Sequence, residues 1–85
     1  MDKEELKLMS WILRGRQRKV ILKALDKPKT PTQIKEEVKL GLNNVSDILR
    51  LFVKNKIARC LNEDAKTGRI YELTKIGKKI KKKVL

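Results

Sequence analysis

The chain has 85 residues, 40% hydrophobic and 39% charged, and its 23 Lys and Arg against 10 Asp and Glu give a net charge of +13. Such a field attracts polyanions, nucleic acid first and acidic membranes or proteins second, while clear hydrophobic periodicity argues against a disordered tail. With no histidine and Cys60 as the single cysteine, an intrachain disulfide and a Cys/His metal cluster are excluded, so no metal or other cofactor is expected. A chain this short buries about 60% of the surface it exposes when unfolded, which leaves one domain with a small core. No apolar run nears the roughly 18 residues that span a bilayer, and the acidic start MDKEELK is unlike a signal peptide; a cytoplasmic protein with no membrane partner is expected.

From Asp2 to Leu13 the apolar positions Leu6, Met9 and Leu13, with Leu8 and Ile12 alongside, predict an amphipathic helix that also carries Trp11. Gly15 interrupts it. From Arg16 to Asp26, Val20, Ile21, Ala24 and Leu25 recur at helical spacing and predict a second helix. The stretch DKPKTPTQ ends that helix and starts another: Thr30 is an N-cap, Pro31 suits the first helical position and Gln33 completes a capping box. This third helix buries Ile34 and Val38 and stops before Gly41, where a positive φ is expected to make a sharp turn. Asn43 is expected to cap the next helix.

In that fourth helix Val45, Ile48, Leu49 and Phe52 share an apolar stripe, whereas Asn43, Asp47, Arg50 and Lys54 point the opposite way, flanked by Asn44 and Ser46. Solvated faces usually carry long Lys and Glu side chains; Asn, Ser and Asp are weak helix formers and better hydrogen-bonding groups. Something besides helicity selected this face. Two short helices joined by a brief turn containing Gly are the helix-turn-helix signature. Beyond Lys54 the pattern becomes extended: IARCL (57–61) and RIYELT (69–74), separated by NEDAKTG, predict a β-hairpin. Asn62, Asp64 and Gly68 suit its loop, and Lys66 and Arg69 could reach a neighbouring surface. Thr74 then caps a last helix with Ile76, Ile80 and Val84 in a narrow stripe among lysines. The expected fold is mostly α with a small β-hairpin, in the order α-α-α-α-β-β-α.

TPTQIKEEVKLGLNNVSDILRLFVKNKIARCL, a basic loop and GRIYELTKIGKKI, preceded by SWILRGRQRKVILKAL, resemble a winged helix-turn-helix domain of the MarR/ArsR type. The whole chain is similar to the small archaeal regulators of this kind. The resemblance implies a sequence-specific double-stranded DNA-binding transcription regulator, one domain over 1–85, with helix 43–55 in the major groove and wing 62–69 on the backbone or minor groove. It puts Asn43, Asn44, Ser46, Asp47 and Arg50 at base edges: amides suit adenine, Arg suits guanine and Asp suits cytosine N4. Backbone or wing contact is expected from Thr30, Thr32, Gln33 and Lys54, from Lys66, Thr67 and Arg69, and from Arg16 and Arg18. Where the family often has Gly after the recognition helix, this chain has Asn55 and Lys56, and Asn55 is expected to take the left-handed conformation.

Family members commonly pair through terminal helices, so segments 1–13 and 75–85 are candidate dimerisation elements. Trp11, Leu8 and Ile12 are the expected interface of a homodimer. Alternatives are a basic, ribosome-associated RNA-binding protein and a protein-interaction winged helix. Catalysis is not expected, since histidine is missing, Cys60 has no evident base and no phosphate loop is present. The room between DNA-binding and dimer elements is too small for a pocket, so no small-molecule effector is expected.

Overall fold

The computed structural model describes residues 2–85, and of the 1–13 segment Met1 lies outside them. The chain forms α1 (Lys3–Leu13), α2 (Arg16–Ala24), α3 (Pro31–Val38), α4 (Leu42–Lys54), β1 (Ala58–Cys60), β2 (Tyr71–Leu73) and α5 (Lys75–Val84). It is thus mostly helical with one antiparallel hairpin, in the expected order, and Arg59 faces Glu72 across the two short strands. No described helix is long and apolar enough to cross a membrane.

Three helices start where a side chain can satisfy their free amides. Asp2 accepts the Glu5 N–H at 2.8 Å to open α1. At α3 the capping box is reciprocal: the Gln33 N–H donates to Thr30 Oγ1 at 3.2 Å and the Thr30 N–H donates to Gln33 Oε1 at 2.9 Å. Thr74 opens α5 by accepting the Gly77 N–H at 3.0 Å. Helix α4 differs from expectation. Gly41 is its N-cap, without a side-chain bond, and Asn43 is already the second helical residue, so the helix runs one residue ahead of 43–55.

The two reversals of chain direction also fall elsewhere than expected. Gly41 is extended (φ −65°), and the left-handed residue is Lys39 (φ 60°), the C-cap of α3. Val38 and Leu40 both pack against the core, which forces the reversal between them. After α4, Asn55 stays near the helix (φ −92°) while its side chain donates to the Leu51 carbonyl at 2.8 Å, and Lys56 takes φ 62°. The Lys56 N–H reaches Val53 O at 3.0 Å and the Ile57 N–H reaches Phe52 O at 2.8 Å. That is the Schellman pairing, and it puts the left-handed residue one position beyond the cap.

The core gathers residues from every helix: Ile12, Ile21, Leu22, Ile34, Val45, Leu49, Phe52, Ile57 and Ile80 are essentially inaccessible. Trp11 meets Phe52 edge to face, with centroids 5.9 Å apart, and Leu8 packs on the same cluster. Of the residues expected at a dimer interface, Ile12 is fully buried within the chain, while Leu8 and Trp11 pack on the core and stay half-buried. In a core this small the first helix adds apolar cover to α2 and α4.

Two close approaches hold the elements in place. Lys29, 5% exposed, donates from Nζ to the Ala24 carbonyl at 2.7 Å and pairs with Asp26 at 2.8 Å and Glu37 at 2.6 Å. Its backbone also pairs with Tyr71 in both directions, tying the α2–α3 connection to the hairpin. Burial pulls the Lys29 pKa down, but the bonds to Asp26 and Glu37 outweigh it and leave the pKa raised; the Lys29 hydrogen bond lowers that of Asp26. The second approach is Gly77, where a Cβ would overlap the Ile57 carbonyl oxygen.

Both approaches generate expected outcomes. Lys29→Met lowers the unfolding free energy by about 1–3 kcal/mol near neutral pH, because the Ala24 carbonyl loses its partner while the two carboxylates, being partly exposed, rehydrate. In the native protein Asp26 contributes stability above its unfolded pKa that is lost as pH falls through its depressed folded value; the Lys29 contribution is lost as pH rises through its raised value. Urea denaturation across pH checks both, and the acid-side loss should flatten in the variant. Gly77→Ala gains about 1 kcal/mol in helix propensity yet is expected to destabilise by about 1–3 kcal/mol through overpacking on Ile57, measured by thermal unfolding.

Candidate nucleic-acid interface

Helix α4 is held by its apolar stripe, with Val45, Leu49 and Phe52 buried, and this fixes which residues it turns outward. At 100° per residue the outermost ridge carries Asn43, Asp47 and Lys54. Leu42, Ser46 and Arg50, spaced i, i+4, i+8, lie on one side of it. Asn44, Ile48 and Leu51 lie on the other.

The first side is the wall of a groove of about 550 Å³ between the start of α3, α4 and the hairpin tip. Thr30, Pro31 and Thr32 contribute from α3, Leu42, Ser46 and Arg50 from α4, and Lys66, Thr67, Gly68 and Arg69 from the loop, with Tyr71 between them. Three cations and four aliphatic hydroxyls converge, and among the described residues no carboxylate lines the groove. Such a lining suits an oxyanion chain: cations supply charge-assisted bonds and hydroxyls supply short neutral ones.

The loop is built to present its tip. Leu61 N–H donates to Ile70 O at 2.8 Å, and the Asn62 side chain continues the ladder by donating to Gly68 O at 3.1 Å and accepting the Ile70 N–H at 2.7 Å. The Ala65 N–H closes a turn onto Asn62 O at 2.9 Å, and Gly68 takes φ 66° where other residues would be strained. Arg69 donates from Nε to the Ala65 carbonyl at 2.8 Å, which pins the stem of an exposed side chain. On the other strand Arg59 Nη2 pairs with Glu72 at 2.6 Å, stiffening the hairpin away from the groove.

On the far side of the ridge a shallower depression is lined by Gly15, Arg16, Gln17, Arg18, Ile48 and Leu51. Of the two arginines expected to contact a backbone, Arg16 is exposed. Arg18 is not free: Nη1 donates to the Trp11 carbonyl at 2.8 Å and the guanidinium lies 4.5 Å from the Trp11 ring centroid. Its positive charge is used to clamp α2 on α1 by a cation–π contact.

The structure thus brings Thr30, Thr32, Ser46, Arg50, Lys66, Thr67 and Arg69 into one groove, with Asn43 and Asp47 exposed on the adjoining ridge and Lys54 at its far end. Gln33 does not line the groove, because its side chain belongs to the α3 cap. Asn44 is exposed and lines neither depression. Leu42 and Tyr71 were not legible as lining residues. Leu42 could have been found from its i, i+4 spacing to Ser46, whereas Tyr71 reads as an ordinary apolar strand residue. Asp47 Oδ1 accepts from Arg50 Nη1 at 2.8 Å, and both side chains are about two-thirds exposed (65% and 69%). No protein-family model, curated protein or solved structure matches the chain, so the interface is read from its own chemistry.

Proposed function

We propose that this chain is a sequence-specific double-stranded DNA-binding transcription regulator of the winged helix-turn-helix type, with α4 in the major groove and the 62–69 loop as the wing. The observation that supports it best is the polar ridge of α4 flanked on one side by a carboxylate-free cationic groove and on the other by Arg16. A helix is about 10–12 Å across with its side chains and the major groove of B-DNA is about 12 Å wide. A helix seated there has a phosphate strand on each side, which is where this protein carries its cations. Lys66, Thr67 and Arg69, with Thr30 and Thr32, hold one strand, and Arg16 meets the other. Asn43, with Asn44 beside it, offers amides to adenine edges, and Ser46 adds a hydroxyl.

The net charge of +13 supplies a sequence-independent attraction to any duplex, and the short polar side chains of the ridge supply the selection. The protein works in the cytoplasm as a homodimer and catalyses nothing. With Ile12 buried and Leu8 and Trp11 packed on the core, the exposed apolar groups that the terminal segments offer for pairing are Leu6 and Leu13 on α1, 52% and 49% exposed, and Ile76 and Leu85 in the 75–85 segment, 40% and 56% exposed.

Selection from a random duplex library at about 0.15 M salt, where long-range attraction is screened, is expected to enrich a motif with two spaced half-sites. Enrichment of no motif, with ribosomal RNA preferred over duplex DNA, would overturn the reading. Within it, Asn43→Ala is expected to weaken the selected duplex by about 1–3 kcal/mol and leave random duplexes nearly unchanged. Lys66→Ala should weaken all duplexes alike and reduce the slope of log K against log salt by about one. Titrations monitored by fluorescence anisotropy check both.

A further inference from the structure

Arg50 stands where the groove lining meets the ridge, beside Lys66 and Arg69 in the groove and Asp47 on the ridge. A guanidinium in that place has two competing anionic surfaces within reach. One is the phosphate strand that the groove's other cations attract; the other is the set of base edges under the ridge. Phosphate and sugar together take about half to two-thirds of protein–DNA hydrogen bonds, so an unrestrained arginine here falls onto the backbone and carries no sequence information.

Asp47 removes that freedom. Its Oδ1 accepts from Arg50 Nη1 at 2.8 Å, holding the guanidinium toward the ridge from a position one helical turn back. The planar group has five N–H donors in a fixed fork. With Nη1 engaged, Nε and Nη2 remain as two parallel donors on the opposite edge. Guanine presents O6 and N7 side by side in the major groove, a matched pair of acceptors for that edge. The carboxylate itself is repelled by phosphate, so the pair as a unit is steered away from the backbone. In water such an exposed pair contributes little; inside a groove emptied of water the same bond strengthens.

We infer that Asp47 is a positioning residue that makes Arg50 a guanine reader instead of a phosphate clamp, so that each half-site contains a fixed G·C pair under Arg50. This inference rests on the proposed DNA-binding reading. It assigns to Asp47 a cost in overall affinity and a gain in discrimination.

The test runs the random-duplex selection and the salt titration on the native chain, Asp47→Ala, Asp47→Glu and Arg50→Lys. Both side chains are exposed, so circular dichroism should find all four folded alike. The native chain is expected to enrich a motif with one invariant guanine per half-site. In Asp47→Ala the preference at that guanine falls by about 10-fold or more, random duplexes bind as tightly or more tightly, and the salt slope steepens by about 0.9 as Arg50 gains a phosphate. Asp47→Glu, which can still pair at i+3, restores much of the preference. Arg50→Lys keeps the charge without the fork and loses the guanine while holding random-duplex affinity. If Asp47→Ala retains the same guanine preference and slope while the native chain selects a motif, the inference fails and the DNA reading stands. If the native chain selects no motif, the DNA reading fails and this assignment falls with it.

Discussion

The peptide carbonyls at the end of α4 govern the rest of the architecture. Phe52 O receives the Ile57 N–H and Ile57 O in turn receives the Thr74 N–H at 2.9 Å, while the Thr74 hydroxyl donates to Lys56 O at 2.6 Å. Gly77 presses against the Ile57 carbonyl, with no room for a Cβ. One short run of backbone thus sets the exit of α4, the start of β1, the end of β2 and the first turn of α5. Because Phe52 and Ile57 are also fully buried, the junction is both hydrogen-bonded and packed, which is why the hairpin leaves α4 in one direction. The groove exists because of that direction: its two long walls are α4 and the hairpin tip.

A small chain with a net charge of +13 must fold against its own repulsion. Three of the five described ion pairs join separate elements. Lys29 holds the ends of α2 and α3 together, Arg59 and Glu72 join the two strands, and Lys79 reaches Glu5 to link α5 with α1. The Asp47–Arg50 pair, exposed on both sides, contributes little in water. Lys29 differs because it is buried with three partners, so its charge is compensated locally and cannot be removed without leaving polar groups unmatched. Arg18 follows the same economy, its charge lying on the Trp11 face.

The proposed interface divides attraction and selection between different chemistries. Cations in the groove act on any phosphate chain at long range and lose strength as salt rises. Asn43 and the Asp47–Arg50 pair act only at contact, where hydrogen-bond direction matters. A single carboxylate on an otherwise cationic face works against total affinity, and discrimination is the property it can improve.

Local signals determined much of this protein. The Thr30–Gln33 capping box, the Thr74 cap, the stripe of Val45, Leu49 and Phe52 and the turn residues of the hairpin each depend on neighbours within four residues or on helical spacing, so the element order was legible from the chain alone. So was the outward face of α4, because a buried stripe fixes its opposite. Tertiary structure decided what spacing cannot encode. The left-handed residues fell at Lys39 and Lys56 instead of Gly41 and Asn55, since flanking core contacts and the Schellman pairing outweigh intrinsic preference for glycine or asparagine. Trp11 and Arg18 went to each other, Gln33 went to a cap, and Tyr71 came to the groove through its bridge to Lys29. Each of these depends on groups distant in sequence or on a choice among partners, which only the packed chain makes.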